Sequence, residues 1–155
     1  MTIVKALVED MNVLMIGNNP LELATVFGYL KNIPGKRVIT EIAFDLKSGI
    51  QRLSKFTPNF IIIDDNLGRK ELAQAVGSFS HFRKTKHTPV TVLKNSNYQE
   101  AFGGVAMNYI LKRDLSEKTL YAAFRGSLIS VKAQLYLKKV YRKRKGQFMR
   151  LLPGT

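Results

Sequence analysis

Cysteine is absent from this 155-residue chain. That excludes a disulfide framework, a thiolate nucleophile and a thiolate zinc site. Histidine is scarce: His81 and His87, six positions apart, are the only two, which argues against a histidine metal centre. No apolar run approaches the ~18 residues that span a bilayer. The N-terminus has no charged segment leading into a long apolar run and a small-residue cleavage site, so no signal peptide is read there. Acid is missing from the end of the chain, where the last carboxylate side chain is Glu117. What is present is 45% hydrophobic and 10% aromatic, unlike a disordered basic tail. One cytoplasmic domain with a real core is the expectation at this length.

The net charge of +14 is unevenly spread. Residues 1–117 hold 15 basic and 11 acidic side chains, whereas residues 118–155 hold 10 basic and none acidic. Such asymmetry marks a segment that meets a polyanion or an acidic partner, or else a solvated helix face that keeps the protein soluble.

Apolar runs and turn residues alternate along the chain. Residues 12–16 read as a buried strand closed by Gly17-Asn18-Asn19, with Pro20 in the first turn of a helix that carries Leu23, Val26, Phe27 and Leu30. Residues 37–44 read as a second strand, and Leu46, Ile50 and Leu53 as a helix that stops before Pro58. Phe60-Ile61-Ile62-Ile63 is the most strand-like stretch. Leu72, Ala75, Val76 and Phe79 follow at helical spacing. Residues 89–93 and 109–111 give strands four and five, separated by a short helical stretch near 98–105 that Gly103-Gly104 weakens. The last helix is capped by Ser116 and carries a stripe of Leu120, Phe124, Leu128, Val131 and Leu135. It is expected to reach about Lys145. Strand and helix alternating five times predict an α/β, doubly wound, five-stranded parallel sheet covered on both faces.

Ligands of such sheets bind outside the carboxyl ends of the strands. Strand one delivers Gly17, Asn18 and Asn19 to that edge. Strand three delivers Asp64, Asp65 and Asn66, strand four Lys94, Asn95 and Ser96, and strand five Lys112. Two carboxylates and two ammonium groups converge there, either as a salt-bridged loop cluster or as a phosphoryl site.

Over residues 12–130 the chain resembles a response-regulator receiver domain of two-component signalling. The resemblance rests on Pro58-Asn59-Phe60-Ile61-Ile62-Ile63-Asp64, on Asn66-Leu67, on Thr88-Pro89-Val90, on Tyr109-Ile110-Leu111-Lys112 and on the first strand and loop from Asn12 to Pro20. It implies the flavodoxin-like receiver fold, with Asp64 as the phospho-acceptor candidate, Lys94 and Lys112 in the phosphate pocket and Tyr109 as the switch aromatic. The departures matter more than the matches. The two acids that hold magnesium in the family correspond here to Gly17 and Asn18, which leaves Asn18, Asp64 and Asn66 as a remnant metal set. Magnesium prefers carboxylate oxygens, so its binding is expected to be weakened or lost, and no cofactor is assigned. Lys94 stands where the family has Ser or Thr. It can hold phosphate as a point charge or reach Asp64 as a fixed ion pair. With Lys112 beside it, the cations are expected to keep Asp64 ionised. The fourth helix is about one turn short, on the face that receivers use for dimerisation and output.

The chain therefore divides into a receiver-like domain, 1–130, and a basic C-terminal helical extension, 131–155, with no separate effector domain. The expected function is that of a stand-alone, degenerate receiver working through contact with a histidine kinase or another signalling protein; a homodimer is compatible with it. The alternative is non-specific nucleic-acid binding by Lys138, Lys139, Arg142, Lys143, Arg144 and Lys145, with Tyr136, Tyr141 and Phe148 interleaved. Attachment to an anionic membrane surface ranks below both, because the apolar stripe up to Leu135 is expected to be spent on covering the sheet. A small-molecule enzyme is the least supported class, since no nucleophile–base pair or glycine-rich phosphate loop is present.

Overall fold

The structure, a computed structural model, describes residues 9–95 and 107–151. The strands are β1 (Glu9–Ile16), β2 (Lys36–Ala43), β3 (Phe60–Asp64), β4 (Val90–Lys94) and β5 (Met107–Leu111). The helices are α1 (Pro20–Lys31), α2 (Leu46–Arg52), α3 (Arg69–His81) and α4 (Glu117–Leu151), with single 3-10 turns at Asp65–Leu67 and Lys112–Asp114. All strand pairs are parallel and their order is β2-β1-β3-β4-β5. This is the doubly wound sheet that the alternation predicts. The helical stretch expected near 98–105 and Ser96 at the end of strand four lie outside the described residues.

The strand sequences are apolar throughout because both faces are covered. On one face Val13, Met15, Phe60, Ile62, Leu93 and Ile110 pack against Leu23, Val26 and Leu30 of α1 and Leu120 and Phe124 of α4. On the other, Leu14, Ile16, Ile61, Ile63, Val90 and Val92 pack against Leu72, Ala75, Val76 and Phe79 of α3. Alternation along β3 places Asp64 on the α1–α4 side, and alternation along β4 places Lys94 on the side of Val92. Polar ties fix the last strand to the last helix: Asn108 Nδ2 donates to the Ala123 carbonyl at 2.9 Å and also meets Ser127 Oγ.

Helix α4 departs from expectation in length and in what it covers. Ser116 does cap it, its Oγ accepting from the Thr119 backbone N–H at 3.1 Å. The helix then runs through residue 130 without a break and on to Leu151, six residues past the expected end. At 1.5 Å per residue that is about 50 Å. Strand β5 has five residues and spans only ~17 Å. The helix therefore overshoots the sheet. Leu120, Phe124 and Ser127 are buried, but Leu135 is 42% exposed, so the predicted stripe does not cover the sheet to its end. The side chains of Leu128 and Val131 lie outside the described set. Every described residue from 132 to 147 is exposed except the half-buried Val140.

Candidate functional site

The site is built at the carboxyl edge of the sheet, around the last residue of β3. Asp64 is buried, its side chain 2% exposed, because the apolar run Phe60–Ile63 carries it into the core. Lys112 follows β5 directly, and its Nζ lies 2.7 Å from Asp64 Oδ1. The same ammonium lies 2.9 Å from Glu22 Oε2 and 3.7 Å from Asp65 Oδ1. One cation thus serves three carboxylates.

Asparagines close the rest of the network. The Asn66 backbone N–H donates to Asp64 Oδ1 at 2.8 Å, and Asn66 Nδ2 donates to Glu22 Oε2 at 2.7 Å. Asn95 Nδ2 donates to Asp65 Oδ1 and to Asn66 Oδ1, both at 2.8 Å, while its backbone N–H donates to Asp65 Oδ2 at 3.0 Å. Asn18 Nδ2 donates to the Asn66 carbonyl at 2.9 Å. The edge therefore combines both motifs read from the sequence: it is a salt-bridged cluster, and it is centred on the phospho-acceptor candidate.

Glu22 was not among the residues read from the sequence. Its signal is positional. Asn19 caps α1, its Oδ1 accepting from the N–H groups of Leu21 at 3.1 Å and Glu22 at 3.3 Å, with Pro20 at the first helical position. A helix starting at the carboxyl edge of β1 must present its first turn to that edge, and Glu22 is the carboxylate in that turn. Asn19→Ala is expected to cost about 1 kcal/mol of stability in urea denaturation, since the capping bonds are lost and the helix start that aims Glu22 loosens.

Burial sets the direction of the Asp64 shift, which is opposite to the lowering expected from the neighbouring cations. Loss of solvent pushes its pKa above the ordinary 3.8, against the pull of Lys112 and the Asn66 amide. Neighbouring cations do not hold it low. Glu22 moves the other way, held below its usual range by its hydrogen bond to Lys112. Lys112 loses solvent too, but Asp64 and Glu22 outweigh this and raise its pKa.

Lys94, the other phosphate-pocket candidate, meets Tyr109, the switch-aromatic candidate. The Lys94 ammonium sits 3.8 Å from the centroid of the Tyr109 ring, a cation–π distance. Lys94 itself is 5% exposed and Tyr109 38% exposed. The basic residues Lys138, Lys139 and Arg142–Lys145 lie apart from this edge, on the part of α4 beyond the sheet.

The donor set does not suit magnesium. Gly17 offers no side chain, and a Cβ there would fall 2.9 Å from Leu23 Cδ2 and 3.0 Å from Asp64 Cβ. The position is packed shut against an acid. Asn18 presents an N–H to the Asn66 carbonyl, which engages one oxygen a metal could use. Asn66 Oδ1 is engaged by Asn95, and Asp64 Oδ1 is engaged by the Lys112 ammonium. Among the described residues no group of three or more acidic or histidine side chains is arranged to hold a metal ion.

No protein-family model and no curated protein matches the sequence. Solved structures do match the fold. The receiver domain of a sensor histidine kinase from Pseudomonas aeruginosa, solved with magnesium in its active-site cleft, aligns with a TM-score of 0.62 at 14% identity, over 75% of this chain and 95% of that one. The signal receiver domain of an HD-domain-containing protein from Pseudomonas fluorescens aligns at 0.64 and 15% identity, over 80% and 98% of the two chains. A chemotaxis response regulator of Vibrio cholerae aligns at 0.58 and 20% identity, over 78% and 98%. The chain has the receiver fold, with Asp64 and Lys112 at its carboxyl edge.

Proposed function

We propose that the protein is a receiver-type signalling module that acts by binding a partner protein, with its acyl-phosphate pocket held closed by ion pairs in place of a magnesium site. The observation that carries this reading is the Lys112 ammonium shared between Asp64 and Glu22 at 2.7 and 2.9 Å. The receiver fold supports a role in two-component signalling, with a histidine kinase or another signalling protein as the partner class. The packed Gly17 and the Asn18–Asn66 hydrogen bond support a pocket that does not depend on the metal. Phosphoryl transfer to an aspartate needs positive charge to offset the transferring oxygens. Here that charge is already neutralised by two carboxylates in the resting state. The module is accordingly read as an adaptor and not as an enzyme.

Amide NMR with millimolar magnesium and beryllofluoride, a phosphoryl mimic, tests this. The expected spectrum is unchanged at Asp64, Asn66 and Lys112. Saturable shifts centred on those three amides show a working phosphoryl pocket and overturn the proposal.

A further inference from the structure

Beyond the sheet, α4 carries a second apolar face that the first stripe conceals in the sequence. On a helix of 3.6 residues per turn, Ile129, Ala133, Leu137 and Val140 align along one side. That side is opposite the one through which Leu120 and Phe124 enter the core. Tyr136 and Tyr141 stand at its two borders. Past the Tyr136 border come Lys132, Lys139 and Lys143; past the Tyr141 border comes Lys145, and Arg144 continues the line of the stripe one turn beyond Val140. Ile129 is 59% exposed, Tyr136 67%, Leu137 64% and Tyr141 66%. The stripe is about 20 Å long.

We propose that this outward face of α4 seats on an anionic lipid surface, with the receiver body held on the far side. An apolar stripe edged by tyrosines and then by cations is the arrangement of a helix that lies in a bilayer interface. Its rings and aliphatic stems enter the headgroup boundary while its ammonium groups reach the phosphates. The direction of the stripe suits a plane, because it faces away from the sheet. Nearer the body the same side of the helix carries the small residues Ala122 and Gly126, with Lys118 and Arg125 beside them. The charge suits an anionic partner. Lys139 and Lys143 are a like-charged pair one turn apart on the flank of the stripe, which weakens a helix in water and is relieved by headgroup phosphates. A nucleic acid accounts for the cations but leaves Ile129 and Leu137 in water. A second copy covers the stripe but sets two basic clusters side by side. No helix among the described residues is long and apolar enough to cross a membrane, so the helix lies on the surface and does not span it.

Co-sedimentation of the full chain with phosphatidylcholine vesicles, with and without phosphatidylglycerol, tests the proposal at physiological salt. The expected result is binding that requires phosphatidylglycerol. It falls at least about tenfold both in Ile129→Ser/Leu137→Ser and in Lys143→Glu/Arg144→Glu, which corresponds to about 1.4 kcal/mol or more for each variant. Each variant is checked by urea denaturation, which is expected to be unchanged because these side chains lie off the core. Failure of the wild-type chain to sediment with anionic vesicles overturns the proposal. So does an Ile129→Ser/Leu137→Ser variant that still binds vesicles fully, since that is charge adsorption without seating. Salt-sensitive binding of duplex or single-stranded DNA without vesicle binding identifies nucleic acid as the occupant instead.

Discussion

Lys112→Met is expected to destabilise the fold by about 3 kcal/mol at pH 7, because it leaves a buried carboxylate without its counter-ion. The methionine retains most of the aliphatic stem, so the loss is electrostatic and not a packing defect. Asp64 is buried and in the variant keeps the Asn66 amide and its contact with the Glu22 carboxyl, but no cation. Glu22 keeps its bond from Asn66 Nδ2. The loss is pH-dependent, and its sign follows from the folded pKa values. The Asp64 pKa is already raised in the wild type by burial, and removal of Lys112 raises it further. A carboxyl group with a raised folded pKa contributes stability on the acid side, which is lost as pH rises through that value. Glu22, with its lowered pKa, behaves oppositely: its contribution is present above its ordinary 4.5 and lost as pH falls through the folded value. In Lys112→Met the Glu22 contribution shrinks and the Asp64 effect grows. The gap between variant and wild type is therefore widest at pH 7 and narrows on acidification through the Asp64 pKa. Urea titrations at several pH values measure this. A gap that is constant with pH, or that widens toward acid, contradicts the ion-pair account.

Phe124→Ala is expected to cost about 4 kcal/mol, the larger of the two effects. Phe124 is the last large buried side chain of α4 among the described residues, and its ring stacks on Phe60 at 4.4 Å between centroids. Truncation removes the packing on both rings and opens a cavity in the core under the start of β3, four residues along the strand from Asp64. Leu135→Ala is the internal control. The side chain belongs to the same predicted stripe but stands 42% exposed beyond the sheet, and its loss is expected to stay within about 0.5 kcal/mol. Denaturant midpoints of the two variants give the comparison. Equal losses would mean that the stripe is packed along its whole length.

The contrast between those two residues shows what the sequence could and could not convey. The spacing of Leu120, Phe124 and Leu135 places them on one side of a helix, but spacing carries no information about where the sheet beneath stops. Because the strands are five residues long at that edge, the same stripe is core at one end and surface at the other. The strands themselves were legible, since covered faces force continuous apolar runs such as Phe60–Ile63. So was the meeting of Asp64 with Lys112, because strand ends in a parallel sheet share one edge. Glu22 was overlooked: its contact depends on the direction in which α1 leaves β1, and its signal, a carboxylate in the first turn after the Asn19 cap, is positional and not a motif. The direction of the Asp64 pKa was misread for a related reason. Counting nearby cations predicts a lowered value, whereas solvent exclusion is a property of the packed fold and outweighs them.

Helix α4 is a single unbroken rod whose root is clamped by Phe124, Asn108 and Ser127 and whose far part, roughly twice as long as the seated part, is exposed at the described residues 132–147 apart from the half-buried Val140. Such a rod is a lever. A tilt of the root against β5 too small to disturb the packing of Phe124 is magnified in proportion to length at Tyr141 and the cations that follow. Displacement at the root is converted into sweep at the tip, because the helix is continuous between the two.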